Sequence, residues 1–562
     1  MSGTSDFDLE TSNYVEWLLA NLTCVSPKVQ IADLRSQDQG RGVIALEDIE
    51  EGEILFSIPR NVILNVETSQ LASLRDGEAK SVLLGLPQWE ALILCLAYEL
   101  SLGTDSRWSP YLHVLPKTSN TPMFWSDEEI KALHPSYMVN RIGKAEAEKM
   151  YNRLFPAVAE QLGTESLKNL TIEQFHIVAS IILSYSFDVE HPGREDEEGE
   201  EELDIEHFEE VQELQEEEEE EESQEAEHEN EHEHEHEHEH EHEHEHEHDR
   251  DDVPMDDNDG QEPVLTVLED DNYKSMVPFA DTLNANTRLC NANLNYESLQ
   301  LVMKATKKIS KGEQVYNTYG DHPNSEILRR YGYIEKDGSK FDFGEVALSD
   351  ILRHFSQKYP FFTIDGLHFA VDIISKSHYL AENLESEEGI ISDTYECYYD
   401  GEVVPEFVLL LLILTVLSLS GQEDQRWFKR MIRQAKRSGS KASEFEKFIN
   451  RVILKCHQLT DQDKVTEITV ENFKEVVSAR MHEYAEFIRG GALPYELNGY
   501  QHSRAHLAAE VLVSEHRSLE SCHVKALSSL SAIQDVKMVK NVLKRKMEED
   551  SQSSKRHKRV KA

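Results

Sequence analysis

The sequence predicts an α+β fold: small β-sheets interrupted by an insert that is first helical and then acidic, followed by an all-α domain. Three observations predict it. Short apolar-alternating runs broken by Gly and Pro occupy residues 28–64 and return at about 273–319, and a period of two marks half-buried strands. Between them, from about 69 to 187, apolar residues recur at helical spacing. From about 347 to 545 the periodicity is helical throughout, with few Gly or Pro.

Within an N-terminal segment, 1–27, "NYVEWLLANL" carries apolar residues at helical spacing after Ser12-Asn13 and reads as a capped helix. "VQIADLRSQDQGRGVIALEDIEEGEILFSIPRNVIL" reads as a small β-meander that opens a domain over 28–333. The helical insert holds "QWEALILCLAYELSLG", "SDEEIKALHPSYMVNRI" and "TIEQFHIVASIILSYSF", broken by an extended, Pro-rich piece, "WSPYLHVLPKTSNTPMFW". Residues 193–272 carry "EEEEEEE" and a Glu-His run with almost nothing to bury, so they are predicted to be a disordered acidic loop within one domain. "FVLLLLILTVLSL", Phe407 to Leu419, is too short for the ~20 residues of a membrane span and is expected to be a fully buried helix. A basic tail closes the chain at 544–562, with clusters at Lys544–Lys546 and Lys555–Lys558.

Composition narrows the function classes. Net charge is −52, but residues 195–271 hold 41 Asp and Glu against one Arg, a net of −40. The other 485 residues therefore carry −12. Six scattered cysteines without a CxxC argue against a zinc site or a disulfide framework and for a reducing compartment. Eleven of the 26 histidines fall in the acidic segment, where alternation without a scaffold gives weak, non-selective metal binding at best, so no metal is expected. The acidic, polar N-terminus is unlike a secretory or mitochondrial presequence, and the expectation is a soluble intracellular protein. No P-loop, Cys/His or Ser/His/Asp arrangement can be picked out.

Three stretches matter together. "GRGV", Gly40 to Val43, is either a plain hairpin turn or a turn whose backbone approaches a ligand closely, which glycine permits. "MVPFADTLNANTRLCNANL", residues 276–294, has Asn284, Asn286, Asn291 and Asn293, each able to serve as a turn residue. "VYNTYGDHPNSEILRRYGY", residues 315–333, puts four tyrosines among polar residues.

The order of these parts, with "ILSYSF" between the first two, resembles SET-domain protein lysine methyltransferases. More narrowly, it is similar to the branch typified by Rubisco large-subunit methyltransferase and to its fungal ribosomal members. The resemblance implies pseudoknotted SET β-sheets, S-adenosylmethionine as cofactor and a protein lysine as acceptor. It further implies that the helical domain at 347–545 binds the substrate. By motif, Gly40, Arg41 and Gly42 would hold the cofactor with backbone groups. Asn284 and Ala285 match the family's Asn-His pair, with Ala in place of His, and Tyr331 matches the tyrosine that closes over the cofactor. Tyr319 matches the catalytic tyrosine, and Tyr185 a ring facing cofactor or lysine. Trp125 stands where the family has a residue near the substrate. Tyr316 and Tyr333 are expected to be packing residues.

Chemically, the rings would desolvate the lysine ammonium, whose free pKa is about 10.4, and so favour the neutral nucleophile. The expected function is monomethylation of a lysine in a protein of the large (60S) ribosomal subunit by a nuclear, monomeric enzyme. Its expected partners are that basic substrate and an import receptor recognising the tail, with no direct nucleic acid and no membrane. The alternatives are a methyltransferase for histones or other nuclear proteins, and a non-enzymatic acidic chaperone carrying a degenerate SET module.

Overall fold

The computed structural model describes residues 6–37, 39–190, 267, 272–384, 389–438, 443–488 and 503–543. They fall into two units, one drawn from Met1–Lys117, Ala145–Ala285 and Cys290–Gly320, the other from Thr118–Lys144, Asn286–Leu289 and Asp321–Ala562. Residues 118–144 of the helical insert thus belong with the C-terminal part, and the division after the β-rich region falls at Gly320 rather than at 333.

In the first unit the N-terminal helix runs Asp6–Asn21. It begins earlier than its sequence suggests. Ser12 is no cap: its hydroxyl donates back to the Asp8 carbonyl at 2.8 Å inside the helix. Tyr14 and Leu18, four residues apart, form its buried face.

The expected meander is split between two sheets. Strands β1 (Cys24–Val25), β4 (Ile54–Pro59), β9 (Gln300–Ala305) and β8 (Ala292–Tyr296) form one antiparallel sheet in that order. Strands β2 (Val29–Asp33), β3 (Arg41–Ala45), β10 (Gln314–Asn317) and β7 (Asn284–Ala285) form the other, with β7 and β10 parallel. Burial explains the split: Leu55, Phe56, Ser57 and Ile58 of β4 are all buried. A strand covered on both faces belongs inside a sheet, between β1 and β9, rather than at a meander's edge.

Strand β5 (Ser186–Glu190) pairs antiparallel with β6 (Asn272–Met276), Glu190 opposite Asn272. The acidic segment therefore leaves and returns through neighbouring strands. Helix Ile172–Tyr185 stops at Tyr185, so the "SF" read as helical already belongs to β5. Val267, inside the stretch expected to lack structure, is fully buried and donates its N–H to the Leu86 carbonyl at 2.9 Å. The rest of the segment between Glu190 and Asn272 lies outside the described residues. "WSPYLHV", read as extended, forms the helix Ser109–Val114, because Pro110 sits in the first turn, where its missing N–H costs nothing.

The second unit is not all-α. Strand β11 (Phe343–Ala347) pairs antiparallel with β12 (Thr394–Tyr398), and β13 (Lys464–Thr466) pairs parallel with β14 (Ser531–Ile533). Its core is built on the helix Pro405–Glu423, which is buried all round over "FVLLLLILTVLS". This is the one described helix long and apolar enough to cross a membrane, and 78% of its apolar window is inside the protein. The basic tail lies outside the described residues.

Candidate active site

The first unit gathers most of the expected site on one turn, Val277 to Ala285, and the strands around it. Phe279 holds a left-handed backbone, φ 80°, unusual for a residue with a Cβ. Its N–H donates to the Tyr14 hydroxyl at 2.7 Å, and Tyr14 lies 3.2 Å from Thr282 Oγ1. Tyr111 donates to the Asp281 carboxyl, which is buried. Burial pushes that carboxyl up to about 7. Burial, and then the charge of Asp281, push the Tyr185 phenol up to about 12. Tyr185 therefore remains a hydroxyl donor at neutral pH.

Just beyond, Tyr319 donates its hydroxyl to the Leu283 carbonyl at 2.7 Å. It sits two residues past the end of β10, not on the strand as its sequence suggests. Asn284 and Ala285 lie on β7, paired with Tyr316 and Asn317 of β10. The Asn284 amide donates to Gln314 Oε1 at 2.7 Å and to the Arg41 carbonyl at 3.3 Å. Gln314 in turn donates to Tyr316 at 2.8 Å and to Gln39 at 2.7 Å. Tyr316 thus serves a polar network rather than packing alone.

The glycines divide by role. Gly40 has φ +66° and open space where a Cβ would stand, so its backbone can be approached closely. A Cβ on Gly42 would lie 2.7 Å from Asn284 Nδ2, 2.7 Å from Gln314 Oε1 and 2.5 Å from Leu34 Cδ1. Gly42 makes room for the amide network. The Arg41 side chain turns to the N-terminal helix, donating to Thr11 Oγ1 at 2.9 Å and lying 3.9 Å from the Phe7 ring centroid. Its backbone is what faces the turn.

Two expected residues stand in the second unit. Tyr331 ends the helix Asn324–Tyr331, capped by left-handed Gly332, with the Tyr333 ring 6.3 Å away. Trp125, expected near the substrate, is 2% exposed; its indole N–H donates to the Asn120 carbonyl at 2.9 Å, and it packs with Leu133, Met138, Leu328 and Val511. Conversely, Tyr14, Tyr111, Asp281 and Gln314 escaped the sequence reading. The one available signal was the acid inside the apolar "VPFAD", since an aspartate buried there needs a hydrogen-bonding partner.

The SET domain family matches residues 40–320. A ribosomal lysine N-methyltransferase 4 of Saccharomyces cerevisiae is 36% identical over 98% of both chains. One of Schizosaccharomyces pombe is 28% identical over 61% of this chain and 70% of that one. Among solved structures, Rubisco LSMT bound to AdoMet aligns with a TM-score of 0.52 at 16% identity, covering 94% of this chain and 95% of that one. The LSMT SET domain bound to lysine and AdoHcy aligns with a TM-score of 0.51 at 15% identity, covering 95% and 96%. The chain belongs to the SET-domain family and is a protein-lysine N-methyltransferase. The non-enzymatic chaperone is thereby set aside.

Proposed function

We propose that the enzyme adds one methyl group to the ε-amine of a lysine in a large-subunit ribosomal protein, in the nucleus. The observation that carries this reading is the end-to-end match to a Saccharomyces protein named for ribosomal lysine methylation. S-adenosylmethionine is the cofactor, and when bound it supplies a methyl group on an electrophilic sulfonium.

The residues present fit that group. Gly40 leaves its backbone open, and Asn284 directs both amide protons inward, leaving its carbonyl oxygen to accept from an ammonium. Ala285 keeps the β7 backbone paired with β10, so replacing the family's His preserves the main-chain part of the site. On the acceptor side, Tyr185 and Tyr319 offer ring faces that desolvate the lysine and favour its neutral form. The Tyr319 hydroxyl, held by the Leu283 carbonyl, fixes where the amine can sit. Positioning of this kind supplies several kcal/mol, up to roughly 7–11 for well-oriented reactants. The basic clusters at Lys544–Lys546 and Lys555–Lys558 support import through a nuclear receptor. A reporter fused to the chain without them is expected to stay in the cytoplasm.

The test uses ribosomal proteins from cells lacking this gene as substrate, with intact-mass readout. Wild type should add one CH₂ step to one protein. Tyr319→Phe should lower turnover by about 10²-fold or more, the scale of removing a positioned hydrogen-bonding group from a transition state, with cofactor binding intact. Two or three mass steps would overturn monomethylation. Methylation of histones but of no ribosomal protein would overturn the substrate.

A further inference from the structure

The helix Gln425–Ser438, QRWFKRMIRQAKRS, divides its surface by charge. Phe428 and Met431 are buried in the core of the second unit, and Trp427, Ile432 and Ala435 pack against it. Arg426, Lys429, Arg430, Arg433, Lys436 and Arg437 recur at i, i+3, i+4, i+7, i+10 and i+11, and all six are exposed. That spacing is one face of a helix. The helix contains no acid. Lys436 donates to the Asp365 carbonyl at 2.9 Å. Among the described residues, the other five meet no carboxylate within ion-pair distance. Asp424 is committed to the helix start, where it accepts the Trp427 N–H at 2.9 Å. Glu444 shares a shallow hollow with Arg437 at the far end.

Such a face is costly to keep. Like charges three and four residues apart destabilise a helix, and a merely solvated face would mix signs, since the residues outside 195–271 hold 67 acids and 55 bases. The stripe is about 16 Å long at a rise of 1.5 Å per residue. Along the axis of a B-form duplex, where each strand has one phosphate per roughly 3.4 Å, that length spans about five phosphates of one strand. A lipid surface would need the apolar face of the helix as well, and that face is buried in the core. What is offered is charge alone.

We propose that the Arg426–Arg437 face binds the phosphate backbone of RNA, against the expectation of no nucleic-acid contact. Phosphate binding stands on the stripe itself. The choice of RNA over other polyanions rests on the ribosomal substrate reading, in which RNA lies beside the target protein.

The experiment measures binding of the full chain to a fluorescent mixed-sequence 30-nucleotide RNA between 50 and 300 mM KCl. A triple variant, Lys429→Gln with Arg430→Gln and Arg433→Gln, is compared with wild type. The expected result is a log–log salt slope smaller by about 2, from about 0.7 per lost cation, and affinity about tenfold weaker at 100 mM. Swapping Lys and Arg at the same three positions should preserve both. The neutral variant should unfold at the same or a higher urea concentration, since repulsion is removed. Equal slopes and affinities for wild type and triple variant would overturn the proposal. So would loss of all RNA binding on removing 544–562 alone, or tighter binding to anionic vesicles or to a peptide of residues 195–271 than to RNA. Failure here with ribosomal methylation intact would leave the substrate reading standing.

Discussion

Gly42 and Asp281 show how single residues set this site. At Gly42 the space a Cβ would need is already taken by Asn284, Gln314 and Leu34. Gly42→Ala is expected to cost about 1–3 kcal/mol, as overpacking typically does, and to weaken cofactor binding by displacing Asn284. Urea unfolding and calorimetric titration with S-adenosylmethionine check the two effects separately. Asp281 acts through its proton. Its carboxyl is raised from 3.8 to about 7 by burial. Below about pH 4 it is protonated in folded and unfolded chain alike and has no effect on stability. As pH rises toward 7 the unfolded chain ionises while the folded one resists, so stability is lost, and the loss is complete above the folded value. Asp281→Asn keeps an acceptor for Tyr111 without the charge. Its unfolding midpoint should therefore fall less than wild type's between pH 4.5 and 7.5, and parallel curves would refute the assignment.

At the scale of elements, the turn Val277–Ala285 is braced from a distance in sequence. The N-terminal helix supplies Tyr14 and the helix Ser109–Val114 supplies Tyr111. Tyr14→Phe leaves the buried Phe279 N–H without its acceptor, at a cost of about 1–3 kcal/mol. It also loosens a left-handed residue four positions before Leu283, whose carbonyl holds Tyr319. Turnover should fall with stability, whereas loss of stability alone would mean that the brace does not reach Tyr319. These contacts mark where sequence reading ran out. The helix Pro405–Glu423 and strands β2, β3, β9 and β10 were legible because apolar periodicity is local. Gly40, Asn284 and Tyr319 could be singled out because the motifs that contain them are local. The pairing of β4 with β9 and the Tyr14–Phe279 bond join residues hundreds of positions apart, and no local pattern records them. "WSPYL" misled because its proline reads as a breaker yet opens a helix.

At the scale of the molecule, charge is segregated along the chain: the acidic segment connects β5 to β6, and the cationic stripe lies on one helix of the second unit. The pairing of Glu190 with Asn272 gives the segment's energetics a simple form. Holding the ends of a long connection together costs about (3/2)RT ln n in chain entropy. From Glu190 to the anchored Val267 the connection is residues 191–266, 76 residues. Deleting 195–263 leaves 7, and the shorter closure should stabilise the first unit by about 2 kcal/mol. The deletion should not extend through Val267, whose buried side chain and bond to Leu86 fix the return of the chain. A deletion of 195–271 should forfeit part or all of that gain, since emptying a buried valine site costs on the order of 1–3 kcal/mol. Urea unfolding of wild type and both deletions orders the three proteins. The shorter deletion should be the most stable and should retain methyl transfer, because every first-unit residue placed at the site lies outside it. A shorter deletion less stable than wild type would mean that residues 195–263 hold the β5–β6 pair together rather than merely connecting it.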